Sequence, residues 1–237
     1  MARASSVVNR NVYKYDADVT VVEMKNDSFP SSDHGVGSGA YLCGKTEFVF
    51  MPLPTREAIQ PPPQRIVFIY TEWQPAYDRM KKALQSTIEF VKDYEPKALY
   101  ESISPTVRNT LVLDDQMDSE NIKGNTLCKF FTQGSHHRNL TVLYIVQNLF
   151  NEDKSMRTVS LNSHYLVLFK NPRDMTQIRT LAQQMYPKQA WFLVDAFDDA
   201  TSTPFSYILL DLRADTPDAI RVRARMFDAD PTAYVRV

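Results

Sequence analysis

Apolar runs of strand length, separated by helix-like segments, constrain this chain more than any other feature. RIVFIY (65–70), NTLVLDD (109–115), NLTVLYIVQN (139–148) and HYLVLFKN (164–171) each hold three to five consecutive apolar residues. A strand exposed on one face would alternate apolar and polar residues, so these runs belong to strands buried on both faces. Between and after them lie segments with helical spacing. In QPAYDRMKKALQSTIEFV (74–91), Tyr77, Met80, Leu84, Ile88 and Val91 share a face, and Pro75 suits a first turn. RDMTQIRTLAQQMY (173–186) and AWFLVDAFDDA (190–200) read as further helices, before strands SYILLDL (206–212) and IRVRARMF (220–227). Buried strands alternating with helices predict an α/β protein with a mainly parallel sheet covered on both faces.

Composition narrows the function classes. The chain has 237 residues and a net charge of −1, so any contact with nucleic acid must be local. Two cysteines, Cys43 and Cys128, make neither a disulfide framework nor a zinc site. The adjacent His136 and His137 have no Cys/His cluster to complete a metal site. No apolar run reaches membrane-spanning length, and MARASSVVNRNVYKYD lacks the apolar centre of a secretory signal. A soluble intracellular protein with no membrane partner is expected.

Glycine marks one segment as unusual. The chain has only 6 glycines, where ordinary usage predicts roughly sixteen. Gly35, Gly37, Gly39 and Gly44 fall close together, where the backbone can approach a ligand or take positive φ. GAYLCGKT (39–46) fits G-x-x-x-x-G-K-[ST]. In a working loop of this kind, backbone N–H groups cradle phosphates, the lysine adds charge and the hydroxyl ligates Mg²⁺. Those roles fall to Gly39, Cys43, Gly44, Lys45 and Thr46. The interior Ala-Tyr-Leu-Cys is bulky, with Leu42 where such loops often need glycine. SSDHGVGSG before it is no apolar strand. The nearest strand signal is DVTVVEM (18–24), assigned with its loop to a separate N-terminal segment, 1–34, ahead of a single domain, 35–237. KTEFVFM (45–51) can start a short helix that Pro52 and Pro54 stop.

Partners for such a loop follow in order. Asp114 ends a buried strand and suits the magnesium shell, and Asp115 suits activation of the attacking water. Gln147 ends the next strand, where an amide can sense a γ-phosphate. Arg138 precedes that strand and is a candidate arginine finger toward a neighbouring subunit. Taken singly, these residues are better explained as a solvated acidic turn, a capping amide and a surface arginine, and it is their order after the loop that favours the site reading. Glu72 and Trp73 follow a strand expected at the sheet edge and read as packing, with a secondary catalytic role as the alternative. Arg221, Arg223 and Arg225 alternate, so they are expected on one solvated strand face, with phosphate contact as the alternative. Lys170 and Arg173 follow the last core strand, near a possible subunit interface.

LVLDD, FFTQGSHHRNLTVLYIVQNLF, RTVSLNSHYLVLFKNPRDMTQIRTLAQQMYP and ATSTPFSYILLDLRADTPD together resemble the genome-packaging ATPases of the FtsK/HerA superfamily. The similarity is to the poxvirus-type enzymes of large DNA viruses and Polinton-like elements, over roughly residues 36–228. IVFIYTEWQPAYD also fits, since relatives carry a similar Glu-Trp-Gln-Pro after the second strand. The resemblance implies a RecA-like P-loop NTPase core with strand order 5-1-4-3-2, helices on both faces and extra C-terminal strands. It implies ATP and Mg²⁺ as cofactors, Asp114 and Thr46 at the metal, and Asp115, Gln147 and Arg138 in catalysis. It further implies a homo-oligomeric ring, a hexamer, that drives double-stranded DNA into a capsid, with capsid proteins as partners. The setting would be the cytoplasm or nucleus of a host cell. Relatives have an apolar strand and then something like G-P-T-G-S-G-K-T, whereas here only Gly39, Gly44, Lys45 and Thr46 keep the signature. A catalytically impaired relative, serving as a structural ring subunit or surviving as an element remnant, is the alternative.

Overall fold

The computed structural model describes residues 3–5, 19–23, 48–49, 62–114, 128–134, 138–146, 154–171, 175–228 and 230–236. The apolar runs become strands of one 10-stranded sheet. In chain order these are β1 (Arg3–Ser5), β2 (Val19–Glu23), β3 (Arg65–Ile69), β4 (Ile88–Val91), β5 (Asn109–Asp114), β6 (Leu140–Val146), β7 (Tyr165–Phe169), β8 (Tyr207–Asp211), β9 (Val222–Ala224) and β10 (Thr232–Val235). Helices are α1 (Pro75–Leu84), α2 (Pro96–Ser102), α3 (Lys154–Asn162), α4 (Met175–Met185) and α5 (Ala190–Ala200). A π-helical turn spans Phe130–Gly134.

The spatial order is β1-β10-β9-β8-β7-β2-β6-β5-β3-β4. From β7 to β4 every neighbouring pair is parallel. β8, β9, β10 and β1 extend the sheet antiparallel from β7. With β2 as the first core strand and β4 set aside as an added edge strand, the segment β7-β2-β6-β5-β3 is the 5-1-4-3-2 order of a P-loop NTPase core.

Residue alternation splits the core into layers. Val67, Leu111, Leu113, Val142, Tyr144, Leu166 and Leu168 face α2, α3, α4 and α5, where Leu99, Val159, Leu181 and Phe197 receive them. Ile66, Phe68, Val112, Leu143, Ile145 and Val167 face the other way, against Ala76, Tyr77 and Met80 of α1 and against Phe48 and Val49. β5 and β6 are buried along their whole length. Each large apolar side chain so enclosed contributes about 1.5–3 kcal/mol, which is why consecutive apolar residues are needed.

Several expectations change. The helix expected to reach Val91 stops at Leu84, Gln85 takes φ 45°, and residues 88–91 form β4. Ile88 and Val91 had continued the helical spacing by coincidence, but this short stretch with β-branched and aromatic residues suits a strand. β4 pairs with β3, so Glu72 and Trp73 do not follow an edge strand. β2, expected in a separate N-terminal segment, runs inside the sheet between β6 and β7. The division at residue 34 therefore does not describe the sheet.

The alternating arginines do not line a solvated face. β9 is short, Arg225 takes φ 55°, and Arg223 is buried. Its guanidinium pairs with Asp211, whose carboxylate also accepts from Nε and Nη2 of Arg213 at 3.2 Å each. Arg221 donates to the carbonyls of Asp211 and Arg213 at 2.7 and 2.9 Å. The cluster fastens the antiparallel strands to the end of β8. Side-chain exposure is 4% for Arg223 and 0% for Asp211. Losing Arg223 would leave the carboxylate its Arg213 partner, whereas losing Asp211 removes the one carboxylate that both guanidinium groups share. Asp211→Ala should lower unfolding free energy by about 3–5 kcal/mol in urea denaturation. A change under about 1 kcal/mol would contradict this account of the pair.

Candidate nucleotide-binding site

Parallel strands bring all their carboxyl ends to one edge, where open α/β sheets bind ligands. The register places Asp114 opposite Ile145, and Glu23 opposite Val146 and Leu168. The chain thus leaves β2, in the centre of the parallel strands, at the same edge that carries Asp114. It returns at Phe48 and Val49, which are helical and buried. The Phe48 ring lies 6.0 Å from Phe169, at the carboxyl end of β7, and 4.7 Å from Tyr207 at the start of β8. Residues 24–47, including the glycine segment, connect these points.

Asp114 lies on the same strand face as Val112, two positions earlier, and that face belongs to the layer holding Phe48. Asp114 is 4% exposed. Tyr77 donates its phenolic O–H to Asp114 Oδ2 at 2.8 Å. Tyr77 is 1% exposed and is held among rings: Phe68 at 4.9 Å, Phe90 and Trp73 at 5.5 Å, and Tyr70 at 5.6 Å between centroids. Pro75 in the first turn of α1 sets the start of the helix that carries it. The Trp73 indole N–H points to Asp78 Oδ2 at 3.5 Å, a long contact. Trp73 of the Glu-Trp-Gln-Pro stretch therefore packs, as expected, and it also helps seat the tyrosine that holds Asp114, whereas Glu72 is exposed. Sequence reasoning assigned Tyr77 to the helix's apolar face and missed that role. The available signal was its hydroxyl, because a buried tyrosine needs a polar partner where Met80 does not.

Arg138 lies at the opposite edge. It precedes β6, whose Leu140 pairs with Asn109 at the start of β5. The length of β5 separates it from Asp114, a distance of about 16 Å at the rise of a strand. Its Nη1 donates to the Ile103 carbonyl at 2.8 Å, and its guanidinium carbon lies 4.5 Å from the centre of the Tyr100 ring. Arg138 and Asp114 of one chain do not meet. Lys170 is exposed just beyond β7, at the carboxyl edge.

Gly39, Cys43, Gly44, Lys45, Thr46, Asp115 and Gln147 lie outside the described residues, as do His136, His137 and Arg173. Among the described residues no group of three or more His, Cys, Asp or Glu could hold a metal ion. None of the described helices is long and apolar enough to cross a membrane.

A central parallel strand, followed in the chain by a glycine-bearing segment, and an acidic strand end at its carboxyl edge fit the P-loop NTPase class of fold. No protein-family model and no curated protein sequence matches the chain. Among solved structures, the chain resembles the genome packaging NTPase B204 of Sulfolobus turreted icosahedral virus 2. In complex with AMPPCP that protein matches with a TM-score of 0.57 and 12% identity, over 88% of this chain and 96% of B204. The ATP-γS complex gives 0.55, with the same identity and coverage. The sulfate complex gives 0.56 at 11% identity, over 88% and 95%. The chain has the fold of this packaging NTPase.

The local contacts of Arg138 carry their own consequence. Arg138→Ala should cost about 1–2 kcal/mol, the sum of one hydrogen bond and one cation–π contact. Chemical denaturation measures it, and an unchanged midpoint would show that the Ile103 and Tyr100 contacts contribute nothing.

Proposed function

We propose that this chain is the ATP-hydrolysing subunit of a motor that moves double-stranded DNA into a viral or virus-like capsid. One observation carries the reading: Phe48, just past the GKT signature, packs in the same layer and beside the same sheet edge as Asp114. This placement of Phe48 supports a shared site for the signature and the acidic strand end. Similarity in fold to a genome packaging NTPase supports the packaging assignment.

In this mechanism the backbone N–H groups of Gly39, Cys43 and Gly44 bind the phosphates, and Lys45 neutralises their charge. Thr46 and Asp114 would hold Mg²⁺, which supplies charge stabilisation at the phosphates. Asp114 fits that ion, because Mg²⁺ is commonly bound through one or two carboxylates plus phosphates and water. Asp115 accepts the proton of the attacking water, and Gln147 orients that water. Arg138 acts on the nucleotide of a neighbouring subunit in a homo-oligomeric ring, a hexamer. To do so its guanidinium must leave Ile103 and Tyr100. With a net charge of −1, the chain grips DNA through local basic residues, and capsid proteins dock the ring. The work is done in the host cell's cytoplasm or nucleus.

A specific feature favours a second reading. Ala40-Tyr41-Leu42-Cys43 fills the loop interior with side chains that positive φ disfavours. A loop unable to close around a triphosphate would leave a structural ring subunit that binds nucleotide without turnover.

ATP turnover with and without double-stranded DNA, for wild type and Lys45→Ala, separates the two. The motor reading predicts DNA-stimulated turnover that Lys45→Ala lowers by about a hundredfold or more. Equal background rates for both proteins would overturn it, and nucleotide binding without turnover would favour the second reading.

A further inference from the structure

We infer that Tyr77 is the positioning residue for the metal-binding carboxylate, tying the aromatic stretch after β3 to the nucleotide site. The inference rests on the nucleotide-site reading above. Its basis is the 2.8 Å hydrogen bond from the Tyr77 hydroxyl to Asp114 Oδ2, made between two buried side chains.

An aspartate at the end of a strand can turn about two side-chain torsions. A cation bound through such a group needs one orientation, and partners outside the coordination shell commonly impose it. Tyr77 holds Oδ2 and so fixes the plane of the carboxylate. The tyrosine cannot swing away easily, because its ring is enclosed by Phe68, Tyr70, Trp73 and Phe90. Those rings come from β3, the turn after it and β4. The aspartate comes from β5, the other neighbour of β3. Trp73 is 44% exposed although it packs against Tyr70, Tyr77 and Phe90. The cluster therefore reaches the surface, and a partner touching Trp73 would press on the residue that orients Asp114.

The test uses the full chain, with Mn²⁺ as the paramagnetic probe and AMPPCP as the nucleotide. Mn²⁺ affinity is read by electron paramagnetic resonance, and AMPPCP affinity is read separately in EDTA. Tyr77→Phe keeps the ring and removes only the hydroxyl. It should weaken Mn²⁺ binding in the AMPPCP complex about tenfold, while AMPPCP affinity in EDTA changes less than about twofold by the same reasoning. Asp114→Asn should remove most of the Mn²⁺ dependence, and adding Tyr77→Phe to it should change nothing further. Wild-type Mn²⁺ affinity in Tyr77→Phe would overturn the inference and leave the nucleotide site standing. So would an equal loss of AMPPCP affinity with and without metal, because that marks a purely structural role. If the wild type binds AMPPCP with no metal dependence, the nucleotide-site reading itself fails and this inference falls with it.

Discussion

A strand that is apolar on both faces is stable only in the interior of a sheet with cover above and below it. β5 and β6 impose that condition, because every residue of each is buried. Their neighbours β2 and β3 pair with them in parallel, and the intervening segments supply helices for both layers. The helices α2 to α5 fill one side, and α1 with the Phe48–Val49 turn fills the other. Everything said about the site follows from this arrangement. Parallel pairing sends all carboxyl ends to one edge, so the acidic end of β5 and the exit of β2 share that edge with only β6 between them.

The two edges of the sheet carry different chemistry. The carboxyl edge has Asp114 held by Tyr77, with the aromatic cluster around it and Lys170 exposed beyond β7. The amino edge is rich in arginines that support local structure. Arg65 donates to the Ser102 carbonyl and pairs with Glu89, Arg108 donates to the Pro62 carbonyl, and Arg138 donates to Ile103. Arg213, Arg221 and Arg223 do the same around Asp211. Guanidinium groups suit this work because several donors in a fixed plane can satisfy carbonyls at the ends of strands. Arg138 belongs to this structural set within its own chain, whatever it does in a ring.

Much of the architecture was legible because two-sided burial leaves an unambiguous trace. The core strand order, helices on both faces and strands β8 and β9 followed from apolar runs and a family resemblance carried by those same runs, whereas α2, α3, β1 and β10 were not foreseen. What escaped was set by contacts distant in sequence. Residues 88–91 kept a helical spacing by chance, and only pairing with β3 makes them a strand. VTVVE was visible as a strand, but its seat between β6 and β7 was hidden by residues 24–38, which separate it from Gly39. Arg223 looked like one of three surface arginines until Asp211 came beneath it. Tyr77 looked like one more apolar residue on a helix face, since nothing in its neighbourhood names Asp114 as a partner.

The central claim is that one edge of the sheet holds a nucleotide between the GKT segment and the end of β5. A crystal structure of the chain with ATP-γS and Mg²⁺ tests it most directly. The account predicts triphosphate density at the backbone of residues 44–46, on the side of the sheet where Tyr77 holds Asp114. Density elsewhere, such as at the amino edge beside Arg138, or no bound nucleotide at saturating concentration, would contradict it.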